Sequence, residues 1–129
     1  MPTYDITLFD PPAPVASVTL RNPESGSSVS DVPMLMDSGA DITLLPQASV
    51  SQIGATPLSG VNYALMAFDG TTSSASAVQL ELLFLNRTIR GQFLLIDQAC
   101  GIMGRDILNH LSLLFDGPRF IWDEQRSGV

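Results

Sequence analysis

The sequence predicts an all-β fold with one short helix near the C-terminal end, and three observations lead to it. Short apolar or alternating runs separated by Gly, Pro, Asn, Asp and Ser recur along nearly the whole chain. Helical spacing of apolar residues is clear in only one place, after Gly104. Two segments also echo each other: Met36-Asp37-Ser38-Gly39-Ala40-Asp41-Ile42 and Ile102-Met103-Gly104-Arg105-Asp106-Ile107 each run from an apolar strand into a Gly-x-Asp-Ile turn, which suggests two related halves.

Taken in order, strands are expected over residues 6–9, 15–21, 33–36, 61–68, 76–84 and 88–96. The Ser-, Gly- and Pro-rich stretch 22–31 reads as an exposed loop. Residues 47–53 could form a second short helix, and Asn86-Arg87 reads as a tight turn between two apolar runs. The helix after Gly104 covers about two turns over 105–111. Asp116-Gly117-Pro118 then joins 111–115 to 120–122 in a closing hairpin.

A chain of 129 residues with 45% hydrophobic content suits one domain, 1–129, around one core. Thirteen acidic residues against six basic ones leave a formal charge of -7, a field that repels phosphate backbones and anionic bilayers. Neither nucleic acid nor a membrane is therefore expected as a partner. All six basic residues are arginines, so no lysine is present for Schiff-base chemistry or for a phosphate-cradling loop. One cysteine and one histidine provide neither a disulfide nor a zinc-ligand cluster. The opening Met-Pro-Thr-Tyr-Asp lacks the basic and apolar regions of a signal peptide, and no apolar run approaches the ~18 residues of a membrane span. A cytoplasmic protein is expected.

The segment richest in chemistry is 34–46, where the apolar run Met34-Leu35-Met36 delivers Asp37 directly into the small turn Ser38-Gly39-Ala40. Such a turn sets a carboxylate at the floor of a cleft with backbone groups close by. This segment resembles the active-site motif of retropepsin-like aspartic peptidases, in which Asp-Thr/Ser-Gly-Ala/Ser follows an apolar strand. The second landmark of that family, an apolar pair followed by Gly-Arg-Asp/Asn-Ile/Leu-Leu, is matched by Ile102-Met103-Gly104-Arg105-Asp106-Ile107-Leu108. The closing Leu-Leu-Phe-Asp-Gly-Pro looks more like prokaryotic members than retroviral ones.

The resemblance implies a closed-barrel-like acid-protease fold, acting as an aspartic endopeptidase on extended peptides. Asp37 would be the catalytic carboxylate, within an active-site turn formed by Ser38, Gly39 and Ala40. Because the chain holds a single Asp-Ser/Thr-Gly and this hydrolysis uses two carboxylates, the second Asp37 would come from the other subunit of a homodimer. Ser38 would tie the two turns together across the dimer, and Gly39 would admit the substrate backbone. Substrate contacts are expected from Gly39, Asp41 and the tip of a flap at Phe68, Asp69 and Gly70. Asp41 and Arg105 would form a structural pair. No metal or organic cofactor is expected.

Two other readings compete. The same fold could serve as a dimerisation or peptide-binding module with little turnover. Cys100 and His110 could instead form a thiol-imidazole hydrolase site.

Overall fold

The computed structural model describes residues 2–60, 62–66 and 69–125. The predicted strand over 61–68 therefore has its ends, Val61 and Phe68, outside the described residues, and the substrate contact expected of Phe68 lies there too. Among the described residues ten strands and two short helices follow in the order β1 (Tyr4–Asp5), β2 (Ala13–Arg21), β3 (Ser28–Met36), β4 (Leu44–Pro46), α1 (Gln47–Gln52), β5 (Asn62–Met66), β6 (Thr72–Phe84), β7 (Arg87–Ile96), β8 (Gly101–Met103), α2 (Arg105–Leu108), β9 (Leu113–Asp116) and β10 (Ile121–Glu124).

Eight strands lie in the order β1-β2-β3-β8-β4-β7-β6-β5, and β2 also pairs with β6. That extra pairing closes the six strands between them into a ring, so the expected barrel is present. Thr19, Leu20 and Arg21 of β2 pair with Leu83, Leu82 and Glu81 of β6 along the seam, and an ion pair crosses it. On β6, Glu81 stands opposite Arg21 of β2 and, on its other side, Arg90 of β7. Its Oε1 accepts from Arg21 Nε at 2.8 Å and its Oε2 from Arg90 Nη2 at 2.7 Å. Hydrogen bonds from Arg90 first and Arg21 second hold the Glu81 carboxyl below the ordinary glutamate range.

Inside the ring, Leu20, Met34, Leu45, Leu80, Leu82 and Met103 are fully buried. They come from five different strands and form one continuous core. The two methionines beside the motifs are thus packing residues.

Several boundaries differ from the sequence reading. The strand expected over 6–9 is displaced to Tyr4–Asp5. Asp5 Oδ1 accepts from Thr7 N, Thr7 Oγ1 and Leu8 N, and this local turn competes with strand pairing. The loop expected over 22–31 is shorter, because β3 already begins at Ser28. Leu85 and Asn86, both with positive φ, make the tight turn expected one residue later, as Phe84 pairs with Arg87. Two short helices stand where the sequence favoured one, and the C-terminal one is regular over only Arg105–Leu108.

The closing hairpin, β9 with β10, is present with strands at Leu113–Asp116 and Ile121–Glu124. Its β10 also takes the N-terminal segment along its other edge. Thr3 bridges Ile121, Trp122 N donates to Pro2 O at 3.1 Å, and Tyr4 N donates to Phe120 O at 2.8 Å.

Candidate active site

The two echoing segments meet side by side. Strand β3 runs parallel to β8, pairing Met34 with Gly101, Leu35 with Ile102 and Met36 with Met103. Each then leaves the sheet in its turn. Asp37 N donates to Met103 O at 3.0 Å, and Arg105 N donates to Ala40 O at 2.8 Å, so each turn is tied to the other chain segment.

Within the first turn, Ala40 N donates to Asp37 O at 3.1 Å. The Asp37 carboxylate accepts from Gly39 N at 2.9 Å, through Oδ1. A Cβ on Gly39 would lie 3.1 Å from that same oxygen, so a side chain at residue 39 would press the Asp37 carboxylate aside by a few tenths of an ångström. Asp37 is half-buried, while Ser38, Gly39 and Asp41 are exposed. One carboxylate is thus presented at the surface by a turn that is itself anchored in the core.

The acid partner expected for Arg105 is corrected by the structure. Among the described residues Arg105 makes no ion pair with Asp41; its Nη1 donates to Ser38 O at 2.6 Å. The arginine reaches back to the Asp37 turn, and Asp41 lies exposed to solvent. The acid that joins the two segments is Asp106. Its Oδ2 accepts from Thr43 N at 3.0 Å and its Oδ1 from Thr43 Oγ1 at 2.6 Å. Thr43 Oγ1 in turn accepts from Gly104 N at 3.1 Å.

Strands β5 and β6 form a hairpin that pairs Asn62 with Ser76 through to Met66 with Thr72. At its turn the Asp69 carboxylate accepts from Thr71 Oγ1 and Thr71 N, and these bonds lower its pKa from the ordinary aspartate value. Asp69 and Gly70 make no hydrogen bond to the Asp37 turn among the described residues. Between this hairpin and the strands that carry the two motifs lies a cavity of about 970 Å³, lined by Leu8, Leu35, Leu65, Ser74, Cys100 and Ile102 among others.

The model of the retroviral aspartyl protease family matches residues 12–115. The chain belongs to that family. Its fold is similar to that of EIAV protease in complex with the inhibitor HBY-793, with a TM-score of 0.56 and 22% identity over 76% of this chain and 86% of that one. No curated protein matches the chain significantly. The match spans both motifs, which the fold places on the parallel pair β3 and β8 and in the turns that follow them.

The rival thiol-imidazole site is not assembled. Cys100 lines the large cavity, whereas His110 lines a separate one with Asn86, Arg87 and Ser112. Burial also pushes the Cys100 thiol upward in pKa, away from the thiolate a nucleophile requires.

Thr43 and Asp106 were not singled out as site residues by the sequence reading. A signal exists for both: Thr43 is a polar residue inside the run Ile42–Leu45, and Asp106 occupies the motif position that is Asp41 in the first copy of the echo.

Proposed function

We propose that the protein is an aspartic endopeptidase in which two copies of Asp37, one from each subunit of a homodimer, share the chemistry. The observation that carries this reading is the Asp37 turn: a carboxylate aimed outward, held by Gly39 N and anchored to Met103, in a chain that contains one such motif. One carboxylate, ionised, takes a proton from the attacking water. The other, protonated, donates to the peptide carbonyl. Two like charges this close cannot both persist, which keeps one proton on the pair.

The substrate is an extended peptide, covered by the β5–β6 hairpin acting as a flap and bound through main-chain hydrogen bonds. Gly39 and Gly70 suit close backbone approach, and Asp41 and Asp69 stand exposed where they could meet substrate amides. Apolar side chains beside the scissile bond fit the Leu35, Leu65 and Ile102 walls of the large cavity. We place this activity in the cytoplasm, since a lone cysteine calls for no oxidising compartment.

Subunit mixing tests the shared pair. Native chains exchanged with an excess of Asp37→Asn chains, with exchange verified by mass-tagged subunits, should lose activity as mixed dimers form. Activity strictly proportional to native chain concentration would show that one subunit suffices. A native protein that binds peptides without cleaving them would favour the binding-module reading.

A further inference from the structure

We infer that Asp97 makes the protein selective for peptides with a cationic side chain, arginine or lysine, which reaches along the large cavity and ends on this carboxylate. The inference rests on the endopeptidase reading above and names the kind of peptide that the cavity takes.

The cavity between the β5–β6 hairpin and the motif strands has walls of two kinds. Leu35, Leu65 and Ile102 offer apolar surface to a residue beside the scissile bond. Asp97 is different, because among the described residues that line the cavity it alone carries a full charge. It opens the segment 97–100 that joins β7 to β8, directly after Leu95 and Ile96, which line the same cavity. Ile96 pairs with Pro46, and this brings the neutral Gln47 to the same end.

Asp97 has no partner within the chain. Among the described residues its carboxylate accepts no hydrogen bond and joins no ion pair. The described arginines are engaged elsewhere: Arg21 and Arg90 on Glu81, Arg87 on Glu124, Arg119 on Asp116, and Arg105 on Ser38 O. Other exposed acids are held locally, Asp5 and Asp69 by hydroxyl and backbone donors of their own turns. Asp97 lines a cavity instead, so its complementary charge has to come from the occupant.

Size and chemistry narrow that occupant. A volume of about 970 Å³ takes a ligand larger than one side chain, so an apolar residue and a longer neighbour fit together. Arginine and lysine carry an aliphatic stem that suits Leu95 and Ile96, and a charged head that suits Asp97. A bare metal ion fits poorly, since it needs several oxygen ligands and no such group stands among the described residues. The formal charge of -7 also draws cationic peptides toward the molecule.

Matched peptides test the inference. A ten-residue peptide, selected from a random mixture by cleavage with the native protein or, where none is cut, by binding to it, is remade with arginine, norleucine or glutamate at each position in turn. At one position kcat/KM should be about fivefold higher for arginine than for norleucine, chiefly through KM, and the advantage should shrink at high salt. Asp97→Asn should bring that ratio to about one, and Asp97→Arg should turn the preference to glutamate. Cleavage without an arginine preference at any position, or with one that survives in Asp97→Asn, overturns the inference and leaves the shared pair of Asp37 standing. Fluorescence polarisation of the same peptides separates the remaining outcomes. With no peptide cleaved the shared pair fails, yet arginine peptides bound more tightly than norleucine peptides, and only while Asp97 is present, uphold the inference. Equal binding of the two, without cleavage, overturns both.

Discussion

Thr43 and Asp106, 63 positions apart in the chain, hold each other through two hydrogen bonds, and the threonine hydroxyl passes the connection on to Gly104 N. Thr43 has no exposed surface at all. The Thr43 end of the lock therefore works away from bulk water, where a lost partner is not replaced by solvent, while Asp106 meets it from the exposed side.

Thr43→Val keeps the shape of residue 43 and removes the hydroxyl. It strips Gly104 N of its acceptor, and a buried unsatisfied N–H costs about 1–3 kcal/mol. Denaturant unfolding should show a loss of at least that size, and Thr43→Ser should recover much of it. A Thr43→Val protein as stable as the native one would show that the hydroxyl contributes nothing.

Gly104→Ala should destabilise by about 1–3 kcal/mol through overpacking. Its φ is an ordinary -95°, so any effect comes from space rather than backbone strain. The new Cβ would lie 2.8 Å from Ile42 C and 3.0 Å from Ala40 O, backbone atoms of the segment that follows Asp37. Cleavage rate and thermal stability should fall together, and an unaltered melting temperature would contradict this.

Arg105→Ala separates support of the turn from stability. The side chain is exposed, so folding stability should change by no more than about 1 kcal/mol. Peptide turnover should fall about tenfold or more, because the Ser38 carbonyl loses its anchor next to Asp37 and small displacements at a reacting centre are costly. Asp41→Ala should leave stability unchanged, since Asp41 is not the partner of Arg105. A large stability loss in either variant would restore the pairing read from the sequence.

Glu81 makes stability depend on pH with a definite sign. Its folded pKa is depressed, so its contribution is complete above the unfolded glutamate value of about 4.3 and is lost as pH falls below it toward the folded value. Melting temperatures measured downward from about pH 6 should fall more steeply for the native chain than for Glu81→Gln, with the gap between the two constant at the upper end. Parallel curves would mean that the two arginines do not hold the carboxylate.

What could be read from the sequence was local. Asp37, Ser38 and Gly39 declare themselves because the acid, the small residue and the glycine are consecutive. The β5–β6 hairpin shows through Asp69-Gly70, and the closing hairpin through Asp116-Gly117-Pro118. What escaped depends on strand register. Glu81 meets Arg21 and Arg90 only once β2 has closed on β6, and nothing near residue 81 announces that closure. That Asp106 and not Asp41 joins the two segments likewise shows only once β3 and β8 lie side by side. The turn at Leu85-Asn86 was misplaced by one residue because a leucine with positive φ is a poor sequence signal.

The ties from Asp37 to Met103 and from Ser38 to Arg105 also set a time. The Asp37 turn is synthesised long before its supports, and these two ties can form only once the second motif has emerged and β8 lies beside β3. A chain that has not yet reached its second motif thus carries Asp37 without the two ties that fix its turn.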